Sequence, residues 1–150
     1  MSRVGTILLC WLVGLASARA ADNKAADNLI EPGEWKVTTM SIVNGAVQPP
    51  QSKPRCITPE QAQDVVKTFG PVSGTINSTC ADPVIQPSGQ TLDWRLQCRG
   101  QLDADVAGHF EFDSPQHYSA TVTSQGRMAG NLISDVKTRI VGERLGDCAK

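Results

Sequence analysis

The chain has 150 residues with 14 basic and 15 acidic side chains, and its formal net charge at pH 7 is −1. This length suits a single domain, and the near-neutral balance gives no electrostatic reason to expect binding to nucleic acid or to an anionic membrane surface. Aromatic residues make up only 5% of the chain, so an apolar core or cavity depends on few large side chains.

The first 20 residues have the pattern of a signal peptide. Arg3 supplies a positive charge, Val4 to Leu15 forms a mostly apolar run, and Ala18-Arg19-Ala20 is an A-x-A cleavage site. The run is shorter than the roughly 20 apolar residues of a membrane helix. We therefore expect residues 1–20 to be removed, which leaves a periplasmic or secreted protein without a membrane anchor.

Residues 21–31 are polar and lack periodicity, which is typical of a flexible leader, and a single domain is predicted over residues 32–150. Pro32-Gly33 marks a turn before a strand rich in β-branched residues. Asn44-Gly45 then favours a two-residue hairpin turn, because both residues tolerate positive φ. Pro49-Pro50 is expected to end the return strand quickly.

One short α-helix is predicted over about residues 58–69. Thr58 suits the N-cap, Pro59 suits the first helical position, and Gln61 completes a capping box. Four apolar residues recur on one face of this helix: Ala62, Val65, Val66 and Phe69. Gly70-Pro71 should end the helix, which we expect to pack its apolar face on a sheet.

From residue 80 onward, apolar and polar residues alternate in strand-length segments separated by turns at 87–90, 114–116 and 125–130. This alternation is typical of antiparallel strands with one face on a core and one in solvent. We therefore predict a mainly β fold, an antiparallel β-meander that forms a curled sheet or is barrel-like, with the one short helix at an edge or end.

The predicted mature chain has four cysteines, and an even number in an exported chain indicates two disulfides with three possible connectivities. Cys80 and Cys98 are equidistant from Gly89, so a hairpin centred there would make them face each other across adjacent strands. This arrangement favours Cys80–Cys98, and it leaves Cys56 for Cys148. A slip of the turn by one residue would remove the argument.

Three motifs of this chain resemble those of a known family: Pro32-Gly33-Glu34-Trp35, Cys56-Ile57-Thr58-Pro59-Glu60 and Arg144-Leu145-Gly146-Asp147-Cys148. They are similar to the "PGlWe" start, the "C-x-T-P-E" step and the "R-x-G-x-C" ending of small exported bacterial proteins grouped as domain of unknown function 3617. The likeness spans nearly the whole predicted mature chain. Glu34 departs from the apolar residue often found there, and the Met- and Gly-rich loops of many members are absent. The resemblance supports export and disulfides, and it implies no activity.

One stretch of the meander carries residue types that bind metals. His109, Glu111 and Asp113 share one face of a predicted strand, and His117 could lie across the following turn from Asp113. The simpler interpretation is a solvated strand face opposite two phenylalanines, which alternating strands usually show. We therefore treat these four residues as weak candidates and predict neither a metal nor a cofactor.

A ligand cavity is the remaining possibility for a site. Five aromatic residues could line it or could simply fill the core: Trp35, Trp94, Phe110, Phe112 and Tyr118. No G-x-S-x-G motif is present, and oxidised cysteines are poor nucleophiles. The favoured hypothesis is an exported, non-enzymatic envelope protein that binds a small apolar ligand or a protein partner. The alternative is an uncharacterised hydrolase or metal-dependent enzyme.

Overall fold

The computed structural model describes residues 29–72 and 78–149. The predicted signal peptide, residues 1–20, and residues 21–28 of the predicted leader lie outside the described part. The last residues of that leader belong to the fold, because Ile30 is fully buried and the Trp35 indole donates a hydrogen bond of 3.1 Å to the Glu31 carbonyl. The folded domain therefore includes residues 29–31 ahead of Pro32.

The described residues form nine strands and two short helices. In chain order they are β1 Gly33–Val43, β2 Ala46–Val47, β3 Gln51–Ile57, α1 Pro59–Gln63, α2 Val65–Phe69, β4 Ser78–Cys80, β5 Val84–Ser88, β6 Thr91–Gly100, β7 Asp103–Ser114, β8 His117–Met128 and β9 Asn131–Gly146. Every strand pairing is antiparallel. The predicted mainly β fold is confirmed.

All nine strands belong to one sheet with the order β2-β1-β9-β8-β7-β6-β4. β3 shares the outer side of β1 with β2, and β5 shares the outer side of β6 with β4. The sheet is therefore open, with its two edges formed by short strands. The consecutive strands β6 to β9 form the predicted meander, and β9 then pairs with β1, which joins the two ends of the domain.

The predicted single helix is divided in two. The capping box at Thr58 and Gln61 is present, but Asp64 leaves helical geometry with φ −119° and ψ 75°. The Asp64 carboxylate accepts a hydrogen bond of 2.9 Å from the Lys67 backbone N–H, so it caps a second helix. Aspartate competes for backbone groups in this way, which makes it a better cap than an interior residue. No helix within the described ranges is long and apolar enough to cross a membrane.

A strand that the sequence pattern did not predict follows Pro49-Pro50. The chain resumes as β3 and pairs with β1 from Gly33–Ile57 to Thr39–Gln51. Pro54 lies within β3, which is possible because an edge strand has one side without ladder hydrogen bonds. This extra strand positions Cys56 and the buried Ile57 at the end of the sheet near α1.

The core lies between one face of the sheet and the two helices. The Phe69 ring of α2 contacts the rings of Phe110, Phe112 and Tyr118 at centroid distances of 5.0–5.4 Å. The Trp94 indole donates a buried hydrogen bond of 2.9 Å to the Phe69 carbonyl. The opposite face of the sheet carries the charged and polar side chains of the same strands, and we call it the polar face.

Candidate functional site

The three motifs that carry the family resemblance meet at one end of the sheet. Arg144 donates hydrogen bonds to the Pro32 carbonyl at 2.9 Å and to the Asp147 carboxylate at 3.0 Å. Cys56 and Cys148 form a disulfide with a Cα–Cα distance of 5.5 Å. These contacts tie the start of β1, the end of β3 and the end of β9 together, so the motif residues have a structural role there.

The other two cysteines, Cys80 and Cys98, form a second disulfide across β4 and β6, with a Cα–Cα distance of 3.9 Å. The structure thus joins the four cysteines in the two pairs named above. One bridge anchors the edge of the sheet, and the other closes its motif-bearing end. Neither bridge lies among the charged groups of the polar face.

The five aromatic residues that could line a cavity or fill the core all belong to the core cluster. Each is at most 7% exposed. The Trp35 and Tyr118 rings lie 5.4 Å apart, and Phe69 packs on three of the five rings. Burial also raises the pKa of the Tyr118 hydroxyl. These side chains therefore pack against one another and against the helices.

The four weak metal candidates are placed in two separate pairs at the polar face. His109 Nδ1 lies 2.7 Å from an Asp93 carboxylate oxygen, and its Nε2 lies 3.6 Å from Glu111. His117 Nδ1 lies 2.6 Å from Asp113. Across residues 29–72 and 78–149, no group of three or more His, Cys, Asp or Glu side chains is arranged to hold a metal ion.

The His109 pair includes a residue that the sequence analysis did not single out. Asp93 is the direct partner of His109 across β6 and β7. The hydrogen bond to Asp93 raises the pKa of His109 above its ordinary value, and Glu111 adds to the effect. The equivalent hydrogen bond from His117 lowers the pKa of Asp113. The only sequence signal for Asp93 was its polar position in an alternating strand.

The polar face contains three adjoining depressions of about 410, 450 and 280 Å³. Strands twist relative to their neighbours, so a wide sheet is hollowed along one diagonal of each face. Two rows of directly paired residues cross these depressions, and we call this surface the polar trough. The first row is Asp93, His109, Thr121 and Arg139, and the second is Arg95, Ala107, Thr123 and Lys137.

The middle of the trough is lined by small side chains. Ala107, Thr121 and Thr123 occupy β7 and β8, while the long side chains of Arg95 and Lys137 rise from β6 and β9 on either side. Small residues at the centre of a sheet face leave room above them, because neighbouring strands are only about 4.8 Å apart. The depressions therefore lie between rows of long charged side chains.

The cations in the trough have no protein partners in the described part of the chain, whereas the charged side chains at its rim are paired. Within the described residues, the side chains of Arg95, Lys137 and Arg139 have no ion pair and no hydrogen bond. At the rim, Asp105 is held by Arg99 at 2.7 Å and by Arg127 at 3.2 Å. The hydrogen bond from Arg99 lowers the pKa of Asp105. Three positive side chains therefore remain available to a ligand.

The trough supplies binding groups more readily than catalytic ones. Thr121 lies directly opposite His109, which in turn lies opposite Asp93, so a hydroxyl, an imidazole and a carboxylate follow one another across three strands. A general base, however, needs a ring nitrogen within hydrogen-bond reach of the nucleophile. Both nitrogens of His109 face carboxylates instead, so neither is positioned to take a proton from Thr121.

The comparisons with known proteins identify a family without an assigned activity. No curated protein and no solved structure matches the chain. The model of the family described as "Protein of unknown function (DUF3617)" matches residues 30–148, which include all three motifs at the end of the sheet. The chain therefore belongs to the DUF3617 family.

Proposed function

We propose that this chain is an exported, non-catalytic binding protein of the bacterial envelope that holds a small polar molecule in the polar trough. The signal-peptide pattern of residues 1–20 and the two disulfides support export. The observation that carries the binding role is the set of three unpartnered cations around a floor of small side chains.

The dimensions of the trough suit a small molecule. Ligand sites commonly enclose about 300–1,000 Å³ and combine a concave shape with a few convergent polar groups. The two larger depressions have about 410 and 450 Å³. They share Arg95, Ala107 and Thr123, so one ligand could contact both.

Other cations of the polar face, unlike the three in the trough, have ion-pair partners. Lys36 lies on the same face of the sheet but outside the trough, and it forms an ion pair of 3.3 Å with Glu143. Asp105 at the rim takes two arginines. Charged side chains that face a concavity without a protein partner favour recognition of a charged ligand, since they can exchange water for ligand contacts.

The packing of the core favours this surface over an apolar ligand site. An apolar carrier built on the five aromatic residues would need space between their rings. Phe69 occupies the region above Phe110, Phe112 and Tyr118, and the Trp94 indole is hydrogen bonded to its carbonyl. We therefore place the binding surface on the polar face of the sheet and not in the aromatic core.

The test uses the chain produced from its complete coding sequence and purified from the periplasm with its disulfides formed. Two-dimensional NMR follows the backbone amides while the low-mass fraction of a periplasmic extract is added. We expect shifts confined to β6–β9 around the trough. Ala107→Trp should abolish them, because the indole fills the floor.

Ser52→Trp provides the matched control, because Ser52 is exposed on β3 outside the trough. It should leave the shifts unchanged. An extract that causes no shifts, or shifts that survive Ala107→Trp, would contradict the proposed function. Native mass spectrometry of the same samples would then give the mass of the retained molecule.

A further inference from the structure

The end of the trough formed by β8 and β9 has a distinct chemistry. We propose that Lys137, Arg139, Thr121 and Thr123 form a phosphate-binding subsite, so that the ligand of this protein carries a phosphate group. This inference rests on the proposed function, and it names the class of ligand that the trough would take.

The four side chains are held close together by the strand register. Thr121 pairs directly with Arg139, and Thr123 pairs directly with Lys137. Directly paired residues have Cβ atoms about 4.5–5.5 Å apart, and residues two apart on a strand are about 7 Å apart. The four residues therefore outline a small quadrilateral on one face, beside the depression of about 280 Å³.

The donor groups at this place match a tetrahedral oxyanion. Arginine offers a planar fork of N–H donors suited to two phosphate oxygens, and lysine offers a compact charge with three donors. Each threonine adds one hydroxyl donor from the floor of the trough. Four side chains around one centre offer donors in several directions, which suits the oxygens of a phosphate better than a planar carboxylate.

The local charge balance also favours an anion. The depression is lined by Lys137 and Arg139, and Glu111 is the one carboxylate among its lining residues. Glu111 lies 3.6 Å from the Nε2 atom of His109, so its charge is directed to the imidazole. The next acid along β9, Asp135, accepts a hydrogen bond of 3.3 Å from Gln125. Neither acid forms an ion pair with Lys137 or Arg139, so both cations are free to contact a ligand.

The probes are inorganic phosphate, glycerol 3-phosphate, acetate and vesicles that contain phosphatidylglycerol, each added at constant ionic strength. The protein is again the periplasmic chain with its disulfides, followed by NMR. We expect inorganic phosphate and glycerol 3-phosphate to give saturable shifts at Thr121, Thr123, Lys137 and Arg139. Acetate should bind more weakly, because a carboxylate engages fewer donors.

Lys137→Gln/Arg139→Gln should weaken phosphate binding by at least about tenfold, because it removes the charge-assisted hydrogen bonds. Lys53→Gln/Lys67→Gln changes the net charge equally on exposed residues outside the trough, and it should leave the affinity unchanged. Equal weakening by both double variants would indicate general ionic attraction and would overturn the inference. Saturation by acetate at the same concentration as phosphate would do so as well.

The remaining outcomes identify the source of the phosphate group. They also distinguish failure of the phosphate subsite from failure of the proposed function. Binding of glycerol 3-phosphate indicates a soluble ester, whereas binding only of the vesicles indicates a lipid headgroup, and either supports the subsite. Absence of binding by every phosphate probe overturns it. In that case, shifts of the trough by the periplasmic extract would leave the proposed function standing, and their absence would remove both.

Discussion

The ring of Tyr118 lies directly over the backbone of Gly142, its partner across β8 and β9. A Cβ atom on Gly142 would overlap this ring, and a Cβ atom on Gly108 would overlap the indole of its own partner, Trp94. A glycine within a strand often marks such a close approach. The two glycines therefore allow the rings of Tyr118 and Trp94 to lie close against the sheet.

Gly142→Ala should lower the free energy of unfolding by about 1–3 kcal/mol, because the added methyl group displaces the buried Tyr118 ring. Urea denaturation measures the change. Gly126→Ala is the control, since its Cβ would meet Ser134 and Leu102 only at 3.4 and 3.6 Å. Equal stability of the Gly142 variant and the wild type would show that the ring moves aside at little cost.

Arg144→Ala should destabilise the protein by about 1.5–3 kcal/mol, since the Pro32 carbonyl loses a charged donor and Asp147 loses its partner. Arg144→Lys should recover only part of this, because lysine lacks the fork that reaches both groups. Asp147→Asn should cost less than about 1 kcal/mol, because the Asp147 side chain is 98% exposed. The urea midpoint should be lowest for Arg144→Ala, intermediate for Arg144→Lys and highest for Asp147→Asn. A lower midpoint for Asp147→Asn than for Arg144→Ala would contradict the structural role of Arg144.

The two disulfides should differ in their effect on stability. In the chain-entropy model, Cys56–Cys148 with a sequence separation of 92 contributes about 4–5 kcal/mol, and Cys80–Cys98 with a separation of 18 contributes about 3 kcal/mol. Paired serine variants compared by urea denaturation test the order. Intact mass before and after reduction checks that both bridges form in the periplasm, and a protein that gains no hydrogens on reduction would contradict both pairs.

Asp93→Asn should return the pKa of His109 towards its ordinary value of 6.5, because it removes the hydrogen bond that raises this pKa most. NMR titration of the imidazole ring protons measures the change. Asp113→Asn removes the partner of His117 and should leave the pKa of His109 unchanged. A His109 titration that is identical in wild type and Asp93→Asn would exclude the pair in solution.

The raised pKa of His109 also sets the pH range in which its pair stabilises the fold. The contribution is fully present below the unfolded value near 6.5, and it is lost as the pH rises through the folded pKa. The destabilisation caused by Asp93→Asn should therefore be larger at pH 6 than at pH 9. We expect the difference to stay below about 1 kcal/mol, since both side chains are half exposed.

The Cys80–Cys98 pair forms in a strand register that differs from the one expected from the spacing of the two cysteines. The β5–β6 hairpin closes with Ser88 opposite Thr91, so its turn is centred between Gly89 and Gln90, not on Gly89. In that register Cys80 would face Arg99. The break between β4 and β5, at residues 81–83, shifts the pairing by one residue and places Cys80 opposite Cys98. The spacing of the two cysteines from the turn does not predict this shift.

The chain determines by itself the features that depend on near neighbours. Alternation indicates the antiparallel strands, the capping box at Thr58 starts α1, and Asn44-Gly45 turns with positive φ at both residues. The division of the helix at Asp64 and the strand β3 after the two prolines escaped this reasoning. Both depend on competition among weak local preferences, which contacts elsewhere in the fold resolve.

Only the tertiary structure decided which groups share the polar trough. Asp93, His109, Thr121 and Arg139 lie on four strands, and their order across the sheet follows from the pairing of β6 to β9. The sequence left open whether the aromatic residues line a cavity or fill the core, and in the structure Phe69 of α2 packs on Phe110, Phe112 and Tyr118. Local patterns determine the face on which each residue lies, whereas long-range register and sheet twist determine its neighbours and the concavity they share.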